Sequence, residues 1–290
     1  MRSKPVRVRQ HQRSPARQES RLAKLLEELA HGEGILPSRL PNVKFMRSDR
    51  YIPRSPIVYE PGIFIVAQGC KTGYLGERKI VYDPGHYLVL SVPMPFECET
   101  EGSPEAPLLA VVMGVTPAGI AELLLQMRDT RFAGEASVQA MQSARLDDKL
   151  TDAAVRLLES LRSDEDARIL GPQIVREITY MILCGKLGKN LRVLVAPDSH
   201  FGQISRVLNR MHTDFACSYD MAQVAREIGM SVPTFHARFR AITVTSPLQY
   251  LKRVRLHKAL LLMVHEGANA GSAAVQVGYE SASQFSREFN

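Results

Sequence analysis

The chain predicts an α+β architecture: an antiparallel β-barrel with flanking helices in front, followed by an all-α domain with two helix-turn-helix units. Three observations carry this. Residues 56–115 consist of short runs rich in Val, Ile, Tyr and Phe, cut by Pro and Gly at hairpin-like spacing. From Thr116 the apolar residues recur at steps of three and four. Near the end, a helix that stops at glycine and restarts at a serine occurs twice.

The bulk numbers bound the partners. With 290 residues and 45% hydrophobic content, the chain has material for about two domains. The formal charge of +7 is unevenly placed. Residues 1–24 hold eight basic and one acidic residue, residues 25–199 hold 19 and 23, and residues 200–290 hold ten and six. The two basic ends suit nucleic acid. Cys70, Cys98, Cys184 and Cys217 form no CxxC pair, which argues against a zinc site of that spacing; they read as buried free thiols of a reducing compartment. No apolar run approaches the ~18 residues that span a bilayer. The N-terminus is positive but lacks the apolar stretch of a secretory signal. The expected setting is cytoplasmic, with no membrane partner.

In chain order, residues 1–20 (Arg, Gln, Ser and Pro) read as a disordered basic tail. Residues 21–31 predict a short helix with Leu22, Leu25, Leu26 and Leu29 on one stripe. Residues 56–115 predict the barrel, and 116–190 three helical stretches: PAGIAELLLQMRD, ARLDDKLTDAAVRLLESLR and DARILGPQIVREITYMILCGKL. In the last, Leu170, Ile174, Ile178, Met181 and Ile182 form an apolar stripe that packs on the barrel or makes a dimer seam. Pro197-Asp198-Ser199 marks a boundary, so that 21–196 forms one domain and 200–290 another.

The repeated corner is the most specific signal. Ala225, Gly229, Ser231, Phe235 and Phe239 recur as Ala274, Gly278, Ser281, Phe285 and Phe289, with one extra residue after the second glycine. Alanine lets the second helix cross closely, and glycine takes the positive φ that ends the first. Serine accepts the free amides of the next helix. The Phe pair buries that helix's inner face and leaves its outer face free to enter a major groove. A basic helix from about Pro247 to Val264 joins the two corners. At 1.5 Å per residue it spans roughly 27 Å, close to the ~34 Å of one DNA turn.

These stretches resemble the AraC/XylS family of bacterial transcription regulators. The connector adds Ser246, Pro247, Tyr250, Leu251, Arg255, Leu256, Ala259 and Leu262, and the closing corner adds Tyr279, Ser286 and Arg287. The run from Tyr59 to Val115 is similar to an AraC-type N-terminal domain, whose fold is cupin-like. The resemblance implies a sequence-specific regulator whose two helix-turn-helix motifs read adjacent major grooves of double-stranded promoter DNA. It places Val232, Pro233, His236 and Ala237 on the first reading helix, with Arg238 and Arg240 nearby, and Ala282, Ser283, Gln284 and Arg287 on the second. His236 can bond a purine edge, and Arg287 can pair with guanine or clamp a phosphate. Arg255 is expected to be structural. Family members run on past the position of Asn290, so the 200–290 domain is expected to be C-terminally truncated. The alternative reading is a ligand-binding or oligomerising protein whose truncated rear no longer reads DNA.

In the front domain, metal cupins use clustered histidines, and the barrel region offers only His86. No metal, cofactor or enzymatic activity is expected. A small-molecule effector is the better match, with Tyr59, Phe64, Tyr74 and Tyr87 as candidate lining residues beside Tyr82 and Phe96. RNA polymerase and a second copy of the chain complete the expected partners.

Overall fold

The computed structural model describes residues 20–127, 138–196 and 199–289. Apart from Ser20 and Ser199, the expected basic tail and the Pro197-Asp198-Ser199 boundary lie outside the described residues, as does Asn290. Helix α1 (Arg21–Leu29) starts where the Ser20 hydroxyl accepts the Ala23 amide, and it buries Leu22, Leu25 and Leu26. Nine strands follow: β1 (Gly34–Pro37), β2 (Val43–Ser48), β3 (Ile52–Tyr59), β4 (Gly62–Gln68), β5 (Cys70–Leu75), β6 (Arg78–Tyr82), β7 (His86–Leu90), β8 (Met94–Glu101) and β9 (Leu108–Gly114). After α2 (Pro117–Gln126), strand β10 (Met141–Arg145) returns to the sheet. The front half closes with α3 (Asp148–Ser160), α4 (Asp164–Ile169), α5 (Gly171–Cys184), α6 (Gly188–Arg192) and a 3-10 turn at Val193–Val195.

The strands form two antiparallel sheets, ordered β1-β2-β9-β4-β7-β10 and β3-β8-β5-β6. The six-stranded sheet is covered on both faces, which is why β4 is buried at every position from Gly62 to Ala67. Its Ile63 and Ile65 face a core shared with α1, α3 and α5, and its Phe64 and Val66 face the interior between the sheets. There they meet Leu75, Tyr82 and Phe96 of the four-stranded sheet.

Several sequence expectations change here. The sheets extend past 56–115 in both directions, because β1, β2 and β10 pair onto a core already half built. The stretch 144–162 starts as the end of β10 and turns helical at Asp148, where Asp147 caps α3. The stretch 166–187 breaks at Leu170: Gly171-Pro172 starts a new helix, which separates α4 from α5. In the predicted stripe, Ile174, Ile178 and Ile182 are buried against α3, whereas Leu170 is 48% exposed. The cysteines are free, but only Cys98 is buried; Cys70 is half-buried and Cys184 and Cys217 are exposed.

The rear half is helical: α7 (His200–Thr213), α8 (Met221–Glu227), α9 (Val232–Thr243), α10 (Pro247–His265), α11 (Ala270–Gln276) and α12 (Ala282–Phe289). Its first part is fused to the barrel. Phe201, Ile204, Leu208, Phe235, Phe239 and Tyr250 belong to the same buried cluster as Tyr59, Tyr82 and Phe96. The fully buried Tyr250 donates its hydroxyl to the Pro93 carbonyl at 2.8 Å. His212 Nε2 meets the Glu60 carboxylate at 2.5 Å. The last corner has its own small cluster of Ala259, Ala273, Ala274, Val277, Tyr279 and Phe285. No helix among the described residues is long and apolar enough to cross a membrane.

Candidate nucleic-acid interface

The two corners are built alike at the level of the backbone. Gly229 ends α8 at φ +70°, and the Met230 amide reaches back to the Ala225 carbonyl at 2.9 Å. Gly278 ends α11 at φ +83°, and the Tyr279 amide reaches the Ala274 carbonyl at 3.0 Å. Both are left-handed helix stops. Ser231 accepts the Thr234 amide and Ser281 the Gln284 amide, each at 3.3 Å. The crossing alanines, Ala225 and Ala274, are buried.

The inner faces differ. Phe235 and Phe239 are fully buried, edge to face at 5.7 Å, with Tyr250 closing the stack at 5.6 Å from Phe239. In the second corner Phe285 is buried but Phe289 stays 37% exposed, although the rings lie 5.1 Å apart. The sequence pairs them equally; the rear cluster covers only the first.

The outer faces carry the predicted readers. Val232, Pro233, Ala237, Arg238 and Arg240 are exposed along α9, and His236 is half-buried with its ring beside Phe235. On α12, Ala282, Ser283, Gln284 and Arg287 are all exposed. Gln284 reaches Glu288 weakly at 3.4 Å. Among the described residues, His236 makes no hydrogen bond, and Arg238, Arg240 and Arg287 make no ion pair. Exposed cations with no internal anion are what a phosphate backbone takes up. Glu288, the acidic neighbour of Arg287 on the same helix, accepts from Tyr279 at 2.8 Å and lies 3.6 Å from Lys252.

The connector does more than its basic pattern indicated. Arg255 donates from Nε to the Phe215 carbonyl at 2.7 Å and from Nη2 to the Cys217 carbonyl at 2.9 Å. Lys258 lies over the Phe215 ring, 5.7 Å from its centroid. Phe215 packs against both the barrel-linked cluster and the last one. Nothing in the local pattern of Asp214–Ser218 marked these residues.

The barrel scatters the candidate effector residues. Tyr59 and Phe64 stack at 4.9 Å in the interior, with Phe96 edge-on to Tyr59 at 5.0 Å. Tyr74 faces outward, donating to Glu99 at 2.6 Å beneath Arg54. Tyr87 belongs to the core on the helix-covered face. The sequence reading passed over Lys71, which is 5% exposed in the barrel and donates to Thr100 at 2.6 Å. Burial lowers the affinity of its amine for a proton, and no carboxylate among the described residues pairs with it.

Residues 39–190 match the family model of the AraC-type transcriptional regulator N-terminus, and residues 224–290 match that of a helix-turn-helix domain. The chain belongs to the AraC/XylS family of transcriptional regulators. Among members of this family, the HTH-type transcriptional activator RhaS of Escherichia coli O1:K1 / APEC is 25% identical over 177 residues, covering 60% of each chain. RhaS of Klebsiella pneumoniae strain 342 is 26% identical over 174 residues, covering 59% of each. The match thus spans about three fifths of these relatives' length. In fold the chain is similar to ToxT of Vibrio cholerae strain SCE256, crystallised with an unsaturated fatty acid. The TM-score is 0.57 at 11% identity, over 84% of this chain and 90% of that one.

Proposed function

We propose that this AraC/XylS family chain is a sequence-specific transcription regulator whose helices α9 and α12 read adjacent major grooves of promoter DNA. The observation that carries this is the pair of like-built corners, each presenting an exposed outer face whose arginines form no ion pair among the described residues, joined by the 19 residues of α10. Within that reading, His236 and Arg287 contact bases, and Arg238 and Arg240 contact phosphates or the rim of the groove. The division into a 21–196 regulatory domain and a 200–290 reading domain, a cupin-like front fold, a small-molecule effector, a homodimer, RNA polymerase as partner, a cytoplasmic setting and the lack of enzymatic activity belong to the same proposal. They are supported by family membership.

A footprint tests it. The preferred duplex is expected to show protection over two neighbouring major grooves on one face, with affinity falling steeply with salt. Equal affinity for scrambled DNA overturns the reading. His236→Ala is expected to relax base choice at one groove by about 1–3 kcal/mol of discrimination. Unchanged preference removes that residue from the interface.

A further inference from the structure

The two corner glycines sit in equivalent backbone conformations but in different surroundings. A Cβ added at Gly229 meets nothing within 4 Å. A Cβ added at Gly278 would lie 2.2 Å from the Ala216 carbonyl oxygen and 2.8 Å from the Ala216 C and Cα. Those are backbone atoms, so no side-chain rotation relieves the contact. Their position is itself fixed, because Arg255 grips the carbonyls on either side of Ala216, those of Phe215 and Cys217. The Cys217 amide also closes a turn onto the Asp214 carbonyl at 3.0 Å.

We propose that the turn Phe215–Cys217, clamped by Arg255 and seated against Gly278, is the wedge that sets the distance and angle between the two reading helices. Gly278, Arg255 and Phe215 are then positioning residues that determine which spacing between the two groove sites the protein accepts. The consequence for DNA rests on the reading above, whereas the wedge itself does not.

Helix α10 ends just before Gly267, whose φ is +68°, and the chain turns there into α11, with the Ala268 amide bonded back to the Leu262 carbonyl at 3.2 Å. The second corner packs on α10 through Ala259, Ala273, Ala274, Val277, Tyr279 and Phe285, with Leu256, Leu262 and Met263 beside them. Side chains of this kind can repack when two helices shift, whereas a backbone contact cannot. The backbone seat at Ala216 adds a contact that cannot repack, and Phe215 ties it to both cores. The first corner needs no such seat, since it shares the barrel's core.

The test pairs the two glycines, since Gly229→Ala and Gly278→Ala carry the same positive-φ strain and differ in the Ala216 contact. One arm uses no DNA. Spin labels at Ala241→Cys on α9 and Ser286→Cys on α12, with Cys184 and Cys217 changed to serine, report the distance between the reading helices. Gly278→Ala is expected to shift or broaden that distance, and Gly229→Ala to leave it unchanged. Equal distance distributions in the two variants overturn the proposal. The second arm uses duplexes whose two groove sites are moved apart one base pair at a time. Here Gly278→Ala is expected to lose about tenfold affinity at the native spacing, while binding to the first groove site alone stays within about twofold. Should Gly278→Ala unfold the last corner, Arg255→Lys decides: it keeps the charge but loses the two-carbonyl grip, and must flatten the spacing preference. A spacing optimum unchanged by Arg255→Lys overturns the wedge. A wild-type protein with a sharp helix-to-helix distance but no two-groove footprint leaves the wedge standing and removes the DNA reading.

Discussion

His257 sits on α10 facing the seam between barrel and reader. Burial pushes its imidazole down to about 4, and the charges of Lys258 and His212 push the same way against Glu60. Its Nδ1 finds no hydrogen-bond partner. The folded protein therefore holds it neutral, while the unfolded chain protonates it below about 6.5. The unfolded state binds the extra proton, so this contribution to stability is complete above pH 6.5 and is lost as the pH falls toward 4. Between pH 7 and pH 5 the loss amounts to about 2 kcal/mol. Denaturant titrations of wild type and His257→Leu at the two pH values should show that the variant loses less stability on acidification. The Glu60 carboxylate, held below the usual carboxylate range by its bond to His212, adds its own loss at lower pH. None of this was legible from the sequence. His257 lies on a helix read only as basic and amphipathic, and its burial arises from segments far away in the chain. The residues that the family resemblance implies as readers are exposed except His236, which is half-buried; their part in reading DNA belongs to the proposal above.

The two reading helices separate at the scale of the element. Helix α9 runs from a serine cap through two fully buried phenylalanines to Val244, whose φ of 59° ends it in a left-handed turn. Helix α12 is shorter and buries only Phe285. Phe239→Ala should cost about 3–5 kcal/mol, because the cavity opens in a stack closed by Tyr250. Phe289→Ala should cost about 1 kcal/mol, since that ring keeps much of its water contact. Unfolding followed by helical circular dichroism measures both, and equal losses would contradict the asymmetry. The strands divide in the same way. Those between 56 and 115 announce themselves by β-branched and aromatic runs. Strand β1, Gly34–Pro37, is four residues ending in proline, and β10 is Met-Gln-Ser-Ala-Arg with only Met141 buried. Edge strands need little apolar side chain, so they leave little pattern to read. The break at Leu170 was written in Gly171-Pro172, but a continuous apolar period masked it.

For the whole molecule, the barrel interior and the first reading unit share one core, so they should melt together. Tyr250→Ala removes a fully buried ring and its bond to Pro93, and should lower the barrel's stability by about 3–5 kcal/mol along with that of the rear helices. Near-ultraviolet tyrosine dichroism and far-ultraviolet helical dichroism should fall in one transition; a barrel signal that outlasts the helices would refute the coupling. The sequence showed two compositional halves but not this joint, since apolar residues of α7 and α10 look the same whichever surface they cover. One more property follows from the order of the strands. Strand β7 obtains its outer neighbour only from β10, which is synthesised after α2. During translation the nascent front half therefore emerges with an open, hydrogen-bond-hungry edge, and it stays so until residue 145 is clear of the ribosome. Pairing of residues 141–145 passes the outer position from the apolar β7 to the more polar β10, an edge less prone to pair with another chain.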